Sequence, residues 1–312
     1  MKIIFWANGN RGLICLQEIL KAGYEICLVV VHPKENKISL FAKEKGLACK
    51  SPENPNAEEF IHQIKPFNAD LFILAGYGKI LKQPVIDIPR KMTINLHGGK
   101  LPHLRGSSPM NWALIAGEKK FTLSIIKVDG GIDSGDILAE KSFPIKLSDT
   151  IRELHFTADQ EFPKMLLNVV QKIKKGKLEG KKQDLKKGAY YPLRFPEDGM
   201  IIWDMLTAEE IYNHVRALAE PYPCARTIYQ GRVVKLFSAE FHTVNFFGTP
   251  GRIYKRQDGK FLICAKDKCL WITDAAFEDN GEKLFNTAKL YDELLTVRKT
   301  VVLAAMGKKS DH

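Results

Sequence analysis

The sequence predicts an α/β fold built on a doubly wound, mostly parallel sheet, followed by a smaller C-terminal domain that is β-rich and barrel-like. Apolar strands alternate with amphipathic helices through the first half of the chain, and this alternation is typical of a doubly wound sheet. The run YEICLVVV at 24–31 is almost entirely apolar, as expected for a strand with both faces buried. Beyond residue 200, short strands separated by turn signals replace this pattern.

The elements of the first half follow one another in a regular order. Lys2 to Trp6 form the first apolar run, and a helical spacing of leucines and isoleucines follows it and ends near Gly23. The Asn8–Gly12 turn lacks the three-glycine spacing of a dinucleotide site, so no nicotinamide site is predicted. Further strands are predicted at 70–76, 92–97, 121–128 and 136–145, and helices at 38–45, 57–65 and 149–175.

Composition also predicts the domain boundaries. Residues 1–189 form the first predicted domain, and 190–204, which contains YYPLRFPEDGM, is predicted to be a linker because it is rich in proline and turn residues. The second domain, 205–304, is predicted to contain a helix at 207–218, five short strands and a last helix at 286–294, as in a small OB-like barrel. The polar residues 305–312 are predicted to be a disordered tail.

Composition limits the compartment and the partners. The chain has 312 residues, 45% of them apolar, and a formal net charge of +11. No apolar run approaches the ~20 residues of a membrane span, and the apolar N-terminal run is too short for a signal peptide. We therefore expect a cytoplasmic protein with no membrane partner. The six cysteines lack zinc-ribbon spacing, which favours free thiols over a metal site.

The positive charge favours an anionic partner such as a nucleotide, a phosphorylated substrate or RNA. Much of it lies between Lys172 and Lys187, in KIKKGKLEGKKQDLKK. This stretch has two interpretations: a solvated helix end followed by a linker, or an electrostatic guide for an anionic substrate.

The densest group of chemically informative residues lies between 93 and 112. Asn95 and His97 alternate along a predicted buried strand, so both point to one side at the strand end, where ligands of open α/β sheets bind. Asp133 lies in the glycine-rich stretch DGGIDSGDI, where a carboxylate is either a turn former or a positioned functional group. Together these residues supply an imidazole, a carboxylate that can orient it, and an amide that can donate to an oxyanion.

These residues resemble those of the folate-dependent formyltransferases, which include methionyl-tRNA, glycinamide ribonucleotide and sugar N-formyltransferases. The resemblance is carried by NLHGGKLPHLRGSSPMNWA, which starts at Asn95, by Thr122, and by DGGIDSGDI, which starts at Asp129. It implies an N-formyltransferase that takes its formyl group from 10-formyltetrahydrofolate without a metal, with Asn95, His97 and Asp133 as catalytic residues. It also implies that folate lies against two segments, represented by Lys79, Ile80, Leu81, Asp129, Gly130, Gly131 and Ile132.

Three departures from the tRNA-formylating members indicate another acceptor amine. The segment between Val31 and the helix at Leu40 is short, and its basic residues are Lys34 and Lys37. The tRNA-formylating members share a long basic insertion after the second strand. Gly-Gly-Lys follows His97 in place of their Gly-Ser-Leu. The segment from 191 to 203 resembles the linker of sugar-nucleotide formyltransferases, including the polymyxin-resistance enzyme that acts on a UDP-aminoarabinose. We therefore expect an amino-sugar nucleotide, the precursor of an N-formylated sugar in a surface polysaccharide such as lipopolysaccharide O-antigen.

The partners of such an acceptor follow from its charge. A diphosphate needs cationic partners, and Lys100, Arg105 and Arg194 are the candidates, although Arg105 could equally brace the turn. The alternative acceptor is charged initiator tRNA, with a basic C-terminal domain on its phosphate backbone. A folate-binding module without turnover is a third hypothesis, and the intact catalytic set argues against it. The sequence leaves a homodimer open.

Overall fold

The computed structural model describes residues 1–35 and 37–305, the last four of them as backbone only. All of the predicted tail, 305–312, except Ala305 lies outside the described residues. The chain divides into two compact units. The first comprises Met1–Pro109, Lys120–Pro144 and His155–Pro192, and the second comprises Met110–Lys119, Ile145–Leu154 and the chain from Leu193 onward.

The first unit is built on a seven-stranded sheet. The strands up to residue 191 include the seven of this sheet and one separate pair. In chain order they are β1 Lys2–Ala7, β2 Glu25–Val31, β3 Cys49–Lys50, β4 Leu71–Ala75, β5 Met92–His97, β6 Arg105–Gly106, β7 Lys120–Lys127, β8 Ile137–Pro144 and β9 Tyr190–Tyr191. The sheet order is β3-β2-β1-β4-β5-β7-β8, and β6 pairs separately with β9. The first five strands in this order, β3-β2-β1-β4-β5, are parallel to one another. β7 pairs antiparallel with β5 on one side and with β8 on the other. The prediction of a doubly wound, mostly parallel sheet is confirmed.

Helices connect these strands. In chain order they are α1 Gly9–Lys21, α2 Lys37–Glu44, α3 Glu58–Ile64, α4 Gln83–Ile86, α5 Pro109–Ile115 and α6 Ile151–Lys174. No described helix is long and apolar enough to cross a bilayer. The chain leaves β1 toward β2 and β3 and then returns to β4 on the other side of β1, so the sheet has its topological switch point between β1 and β4.

The apolar strands of the first unit form its core. Trp6 is fully buried and packs against Phe60, Phe72 and Tyr77, with ring centroids 5.2–6.0 Å apart. These contacts join β1, β4 and α3, and they fix the carboxyl ends of the central strands relative to one another. The backbone N–H of Asn8 donates to the carbonyl of Ala75 at 3.1 Å, so the turns that follow β1 and β4 meet at this edge.

The second unit contains a five-stranded antiparallel sheet and its own core. Its remaining elements are α7 Ala208–Ala217, β10 Ala225–Tyr229, β11 Arg232–Phe241, β12 Ile253–Gln257, β13 Lys260–Cys264, β14 Cys269–Phe277, α8 Leu284–Thr287 and α9 Val297–Ala305. The sheet order is β10-β11-β14-β13-β12, so the five predicted strands are confirmed. Ile201 and Trp203, from the segment predicted as a linker, are fully buried in this core.

The predicted helix at 286–294 is wrong. Only Leu284–Thr287 is helical there, and the last helix begins later, at Val297. Backbone of the intervening segment bonds to distant residues instead: the N–H of Tyr291 donates to the carbonyl of Ile253 in β12, and that of Leu294 donates to the carbonyl of Gly251. Because these backbone donors are taken by distant carbonyls, a local helix cannot form.

One cysteine pair also differs from expectation. Cys264 and Cys269 face each other as cross-strand partners of β13 and β14, and their sulfur atoms are within bonding distance. The other four cysteines are free thiols, as predicted. Among the described residues there is no cluster of three or more histidine, cysteine, aspartate or glutamate side chains able to hold a metal ion.

Candidate active site

The last residues of β5 bring the predicted imidazole and amide to the carboxyl edge of the sheet. Asn95 and His97 are two residues apart on the strand, so both project from the same face. His97 is buried, with 5% of its surface exposed, and Asn95 is half-buried. The strand thus presents one accessible amide beside one almost inaccessible imidazole.

The two nitrogens of His97 face two different oxygen atoms. Its Nε2 donates to the backbone carbonyl of Leu104 at 2.6 Å, and because a carbonyl only accepts, this nitrogen carries a hydrogen. Its Nδ1 lies 3.5 Å from Oδ2 of Asp133. Gly99 makes this packing possible, since a Cβ at that position would stand 2.7 Å from both His97 Nε2 and the Leu104 carbonyl. The ring is therefore held on its Nε2 side and acts through Nδ1.

Asp133 completes the group from the β7–β8 connection. Its backbone is left-handed, with φ of 49°, a conformation that aspartate tolerates better than most residues. Oδ2 accepts a hydrogen bond from the N–H of Gly106 at 2.9 Å, and Oδ1 lies 3.4 Å from Nδ2 of Asn95. The short contact fixes the carboxylate, whereas the longer ones to Asn95 and His97 leave those donors available, as is common before substrate binds. The structure therefore brings together all three predicted catalytic residues.

Sequence reasoning missed Gln183, which holds the Asp133 loop in place. Its amide Nε2 donates to the carbonyls of Asp133, at 2.9 Å, and Gly135, at 2.6 Å. Gln183 lies within the lysine-rich stretch, and nothing in its local sequence distinguishes it from a solvated polar residue. Gln183 reaches the loop because the nearby Lys181 pairs with Ile137, and the two backbones exchange two hydrogen bonds of 2.8 Å.

The two predicted folate-binding segments also lie next to each other. A Cβ on Gly130 would stand 3.0 Å from Oε1 of Gln83, so the 129–132 loop adjoins the chain that follows Lys79. Ile80 and Ile132 are exposed, at 68% and 41%, in contrast to Leu81, which is buried in the core. Gly130 and Gly131 of the loop are also exposed. Exposed apolar side chains beside exposed glycines suit a planar, hydrogen-bonding pterin.

Hydrogen bonds fix both of these segments. The ammonium of Lys79 donates to the carbonyls of Pro52 and Glu53, so its predicted folate contact would come from its backbone. In the loop, Oδ1 of Asp129 accepts from the N–H of Gly131 at 3.0 Å and from the hydroxyl of Ser134 at 2.6 Å. Asp129 therefore shapes the loop through its own side chain.

The three predicted substrate-binding residues have different surroundings. Lys100 is exposed, and Arg105 is half-buried in the turn that carries Gly106. Among the described residues, the buried Nε of Arg105 has no hydrogen-bond partner. Arg194 belongs to the second unit, where its guanidinium donates to the carbonyl of Asp198 at 2.7 Å and lies 4.6 Å from the ring centre of Trp112. Lys100 and Arg105 thus adjoin the catalytic strand, and Arg194 has partners in its own unit.

The start of α1 is occupied by the protein's own carboxylate. Glu35 accepts from the N–H of Gly9 at 2.9 Å through one oxygen and from the N–H of Lys37 at 2.9 Å through the other. One side chain therefore accepts from a backbone N–H group at the start of both α1 and α2. Phosphate groups bind at such positions in many α/β proteins, and here Glu35 fills that place.

Comparison with known proteins identifies the family. Residues 26–170 match the family model described as formyl transferase, and residues 195–287 match the model of its C-terminal domain. A methionyl-tRNA formyltransferase of Caldanaerobacter subterraneus subsp. tengcongensis is 31% identical over 280 residues, covering 86% of this chain and 89% of that protein. The chain belongs to the formyl transferase family. It is a folate-dependent N-formyltransferase, and 10-formyltetrahydrofolate is its co-substrate.

Two solved structures share the fold of this formyl transferase. The N-formyltransferase from Helicobacter canadensis in complex with folinic acid and dTDP-3-aminofucose has a TM-score of 0.68 at 19% identity, covering 90% of this chain and 98% of that one. HypX from Aquifex aeolicus in complex with tetrahydrofolic acid has a TM-score of 0.65 at 18% identity. It covers 99% of this chain, which spans about half (48%) of HypX. At these identities the likeness concerns the fold alone.

The prediction of an amino-sugar nucleotide as acceptor is wrong. Eight relatives that are 27–31% identical over 84–93% of this chain are all named methionyl-tRNA formyltransferase. The features that suggested a sugar were local: the short path after Val31, the residues that follow His97, and the segment from 191 to 203. Connecting segments tolerate substitution, insertion and deletion, so they carry less information about the acceptor than similarity along the whole chain.

Proposed function

We propose that this enzyme formylates the amino group of methionine carried on initiator tRNA, using 10-formyltetrahydrofolate. The observation that carries the proposal is the similarity to methionyl-tRNA formyltransferases along nearly the full length of the chain, through both family domains. The formal net charge of +11 supports a large polyanionic substrate.

The catalytic group suits the attack of an amine on a formyl carbon. As the new carbon–nitrogen bond forms, negative charge develops on the formyl oxygen. Nδ2 of Asn95 and Nδ1 of His97 both face the space around the Asp133 carboxylate, at 3.4 and 3.5 Å. Hydrogen-bond donors placed in advance at a developing oxyanion lower the barrier to acyl transfer. We assign this task to Asn95 and His97.

We assign the proton transfer to Asp133. The attacking amine must lose a proton, and the departing folate nitrogen must gain one when its bond to the formyl carbon breaks. The Asp133 carboxylate is the acidic group at the centre of the site, and its side chain is 12% exposed. In this role it accepts the proton of the amine and returns it to the leaving nitrogen.

An acceptor test with purified enzyme decides the proposal. The enzyme is mixed with 10-formyltetrahydrofolate and, in separate reactions, with methionyl initiator tRNA, methionyl elongator tRNA or a panel of amino-sugar nucleotides. We expect N-formylmethionine, detected after hydrolysis of the ester bond, together with an equal amount of tetrahydrofolate, from the initiator tRNA. The Asp133→Asn variant sets the background rate. Turnover of an amino-sugar nucleotide with no formylation of methionyl-tRNA would contradict the proposal.

A further inference from the structure

A row of exposed lysines lies on the surface of the first unit. The stretch from 172 to 187 contains eight lysines and two acidic residues, Glu179 and Asp184, so its formal charge is +6. All eight lysines are exposed. They are Lys172, Lys174, Lys175, Lys177, Lys181, Lys182, Lys186 and Lys187. A single stretch thus accounts for about half of the net charge of the chain.

The second half of this row is fixed to the catalytic centre. The backbone of Lys181 is paired with that of Ile137, at the start of β8. Two residues later the amide of Gln183 is bonded to the carbonyls of Asp133 and Gly135. These contacts exclude the interpretation of this part as a loose linker, because both its backbone and a side chain are held to the loop that carries the catalytic carboxylate.

The chain that follows the row is fixed to the other side of the same centre. The N–H of Ala189 donates to the carbonyl of Pro102, and the carbonyl of Ala189 accepts from the N–H of Arg105, both at 3.2 Å. Arg105 precedes Gly106, whose N–H holds the Asp133 carboxylate. The lysines from 181 to 187 therefore run between two anchors, one at the Asp133 loop and one at the turn after β5.

We propose that Lys181, Lys182, Lys186 and Lys187 bind consecutive phosphates of the acceptor end of tRNA beside the catalytic group. This inference rests on the proposed function and names the surface that holds its substrate. Seven residues span at most roughly 20 Å, a length over which a nucleic-acid strand presents several phosphates, whereas a nucleoside diphosphate presents two. Lys187 forms an ion pair with Asp184 that is exposed and 3.4 Å long, so it competes weakly with a phosphate.

In the test variant all four lysines are replaced by glutamine. Its kcat/KM for methionyl initiator tRNA is measured at several salt concentrations. We expect kcat/KM to fall by roughly 10- to 100-fold at low salt, with kcat within about twofold of wild type. The slope of log kcat/KM against log salt should become less negative by up to about 3, since each lost phosphate contact removes close to one unit. The corresponding fourfold arginine variant keeps the charge and should retain the wild-type slope.

A matched control removes the same charge from the opposite edge of the sheet. Lys21, Lys43, Lys65 and Lys91 are exposed and precede the amino ends of β2, β3, β4 and β5. Their fourfold glutamine variant should leave the salt slope near that of wild type. Thermal unfolding of every variant confirms that each is folded.

The outcomes separate the two proposals. An enzyme that formylates methionyl-tRNA, with the same kcat/KM and salt slope in the test and control variants, overturns the lysine surface and leaves the proposed function standing. An enzyme inactive on methionyl-tRNA overturns both. A loss confined to kcat in the test variant would show that the lysines act on the catalytic loop rather than on RNA, and it too would overturn the inference.

Discussion

Nδ1 of His97 lies 3.5 Å from the carboxylate of Asp133, while its Nε2 is bonded to the carbonyl of Leu104. Both ring nitrogens thus face oxygen acceptors, and the form that carries a hydrogen on each nitrogen satisfies both. These two contacts hold the imidazole between the Leu104 carbonyl and the Asp133 carboxylate.

Replacement of Asp133 by asparagine tests the proton transfer. The amide keeps the shape of the side chain but cannot accept the proton of the attacking amine. We expect kcat for formyl transfer to fall by roughly 10²–10⁴, the range for a lost acid–base group. Glu44→Gln, at an exposed carboxylate of α2, is the control and should keep wild-type activity. Turnover of Asp133→Asn near the wild-type rate would remove Asp133 from the mechanism.

Gly99→Ala tests the packing around the imidazole. The added Cβ would meet the His97 ring and the Leu104 carbonyl at 2.7 Å, and the buried strand leaves little room for either to move. We expect the free energy of unfolding to fall by about 1–3 kcal/mol, as for other overpacked sites, together with a loss of activity. At Gly78 a Cβ would have no neighbour within 4 Å. Urea titration should therefore show a far smaller change for Gly78→Ala, and equal changes would refute the packing argument.

Gln183→Glu tests whether the lysine-rich stretch positions the Asp133 loop. At neutral pH a carboxylate cannot donate to the carbonyls of Asp133 and Gly135, so the loop loses two hydrogen bonds, each contributing about 1 kcal/mol. We expect kcat to fall by roughly tenfold or more, while KM for methionyl-tRNA changes little. Recovery of kcat at lower pH, where a protonated glutamate can donate again, would distinguish positioning from misfolding. Gln63→Glu, on α3, is the control and should behave as wild type.

The stability of the first unit should depend on His155. Burial, together with the charge of Arg11, lowers the pKa of His155 to about 4, and Nδ1 of this ring lies 3.0 Å from the guanidinium of Arg11. In the unfolded chain the pKa is near 6.5, so the unfolded state takes up the proton first. This part of the stability is therefore complete above pH 6.5 and declines as the pH falls toward 4.

The matching experiment compares urea unfolding at several pH values. His155→Gln should remove about 1–3 kcal/mol of the pH dependence between 6.5 and 4, since glutamine can accept from Arg11 without titrating. His62→Gln, at an exposed histidine of α3, should leave the profile unchanged. A His155→Gln profile as steep as that of wild type would contradict the assignment of this acid sensitivity to His155.

The sequence alone determined the fold class and the order of the longer strands along the chain, and it singled out the three candidate catalytic residues. Strands such as β2 and β4 are almost wholly apolar because both of their faces are buried, so their location follows from composition. Asn95, His97 and Asp133 stand out because polar residues and glycines at strand ends are the sequence pattern of a site in this fold.

Only the tertiary structure decided how these parts are held. Gln183 reaches the Asp133 loop, the Leu104 carbonyl fixes the imidazole, and the backbone N–H of Tyr291 bonds to Ile253 of the second sheet instead of to a helical turn. Each of these depends on hydrogen bonds between residues that are brought together by packing and share no local pattern. The same reason explains the lysine-rich stretch: its charge is evident from composition, and its place beside the Asp133 carboxylate comes from pairing with β8.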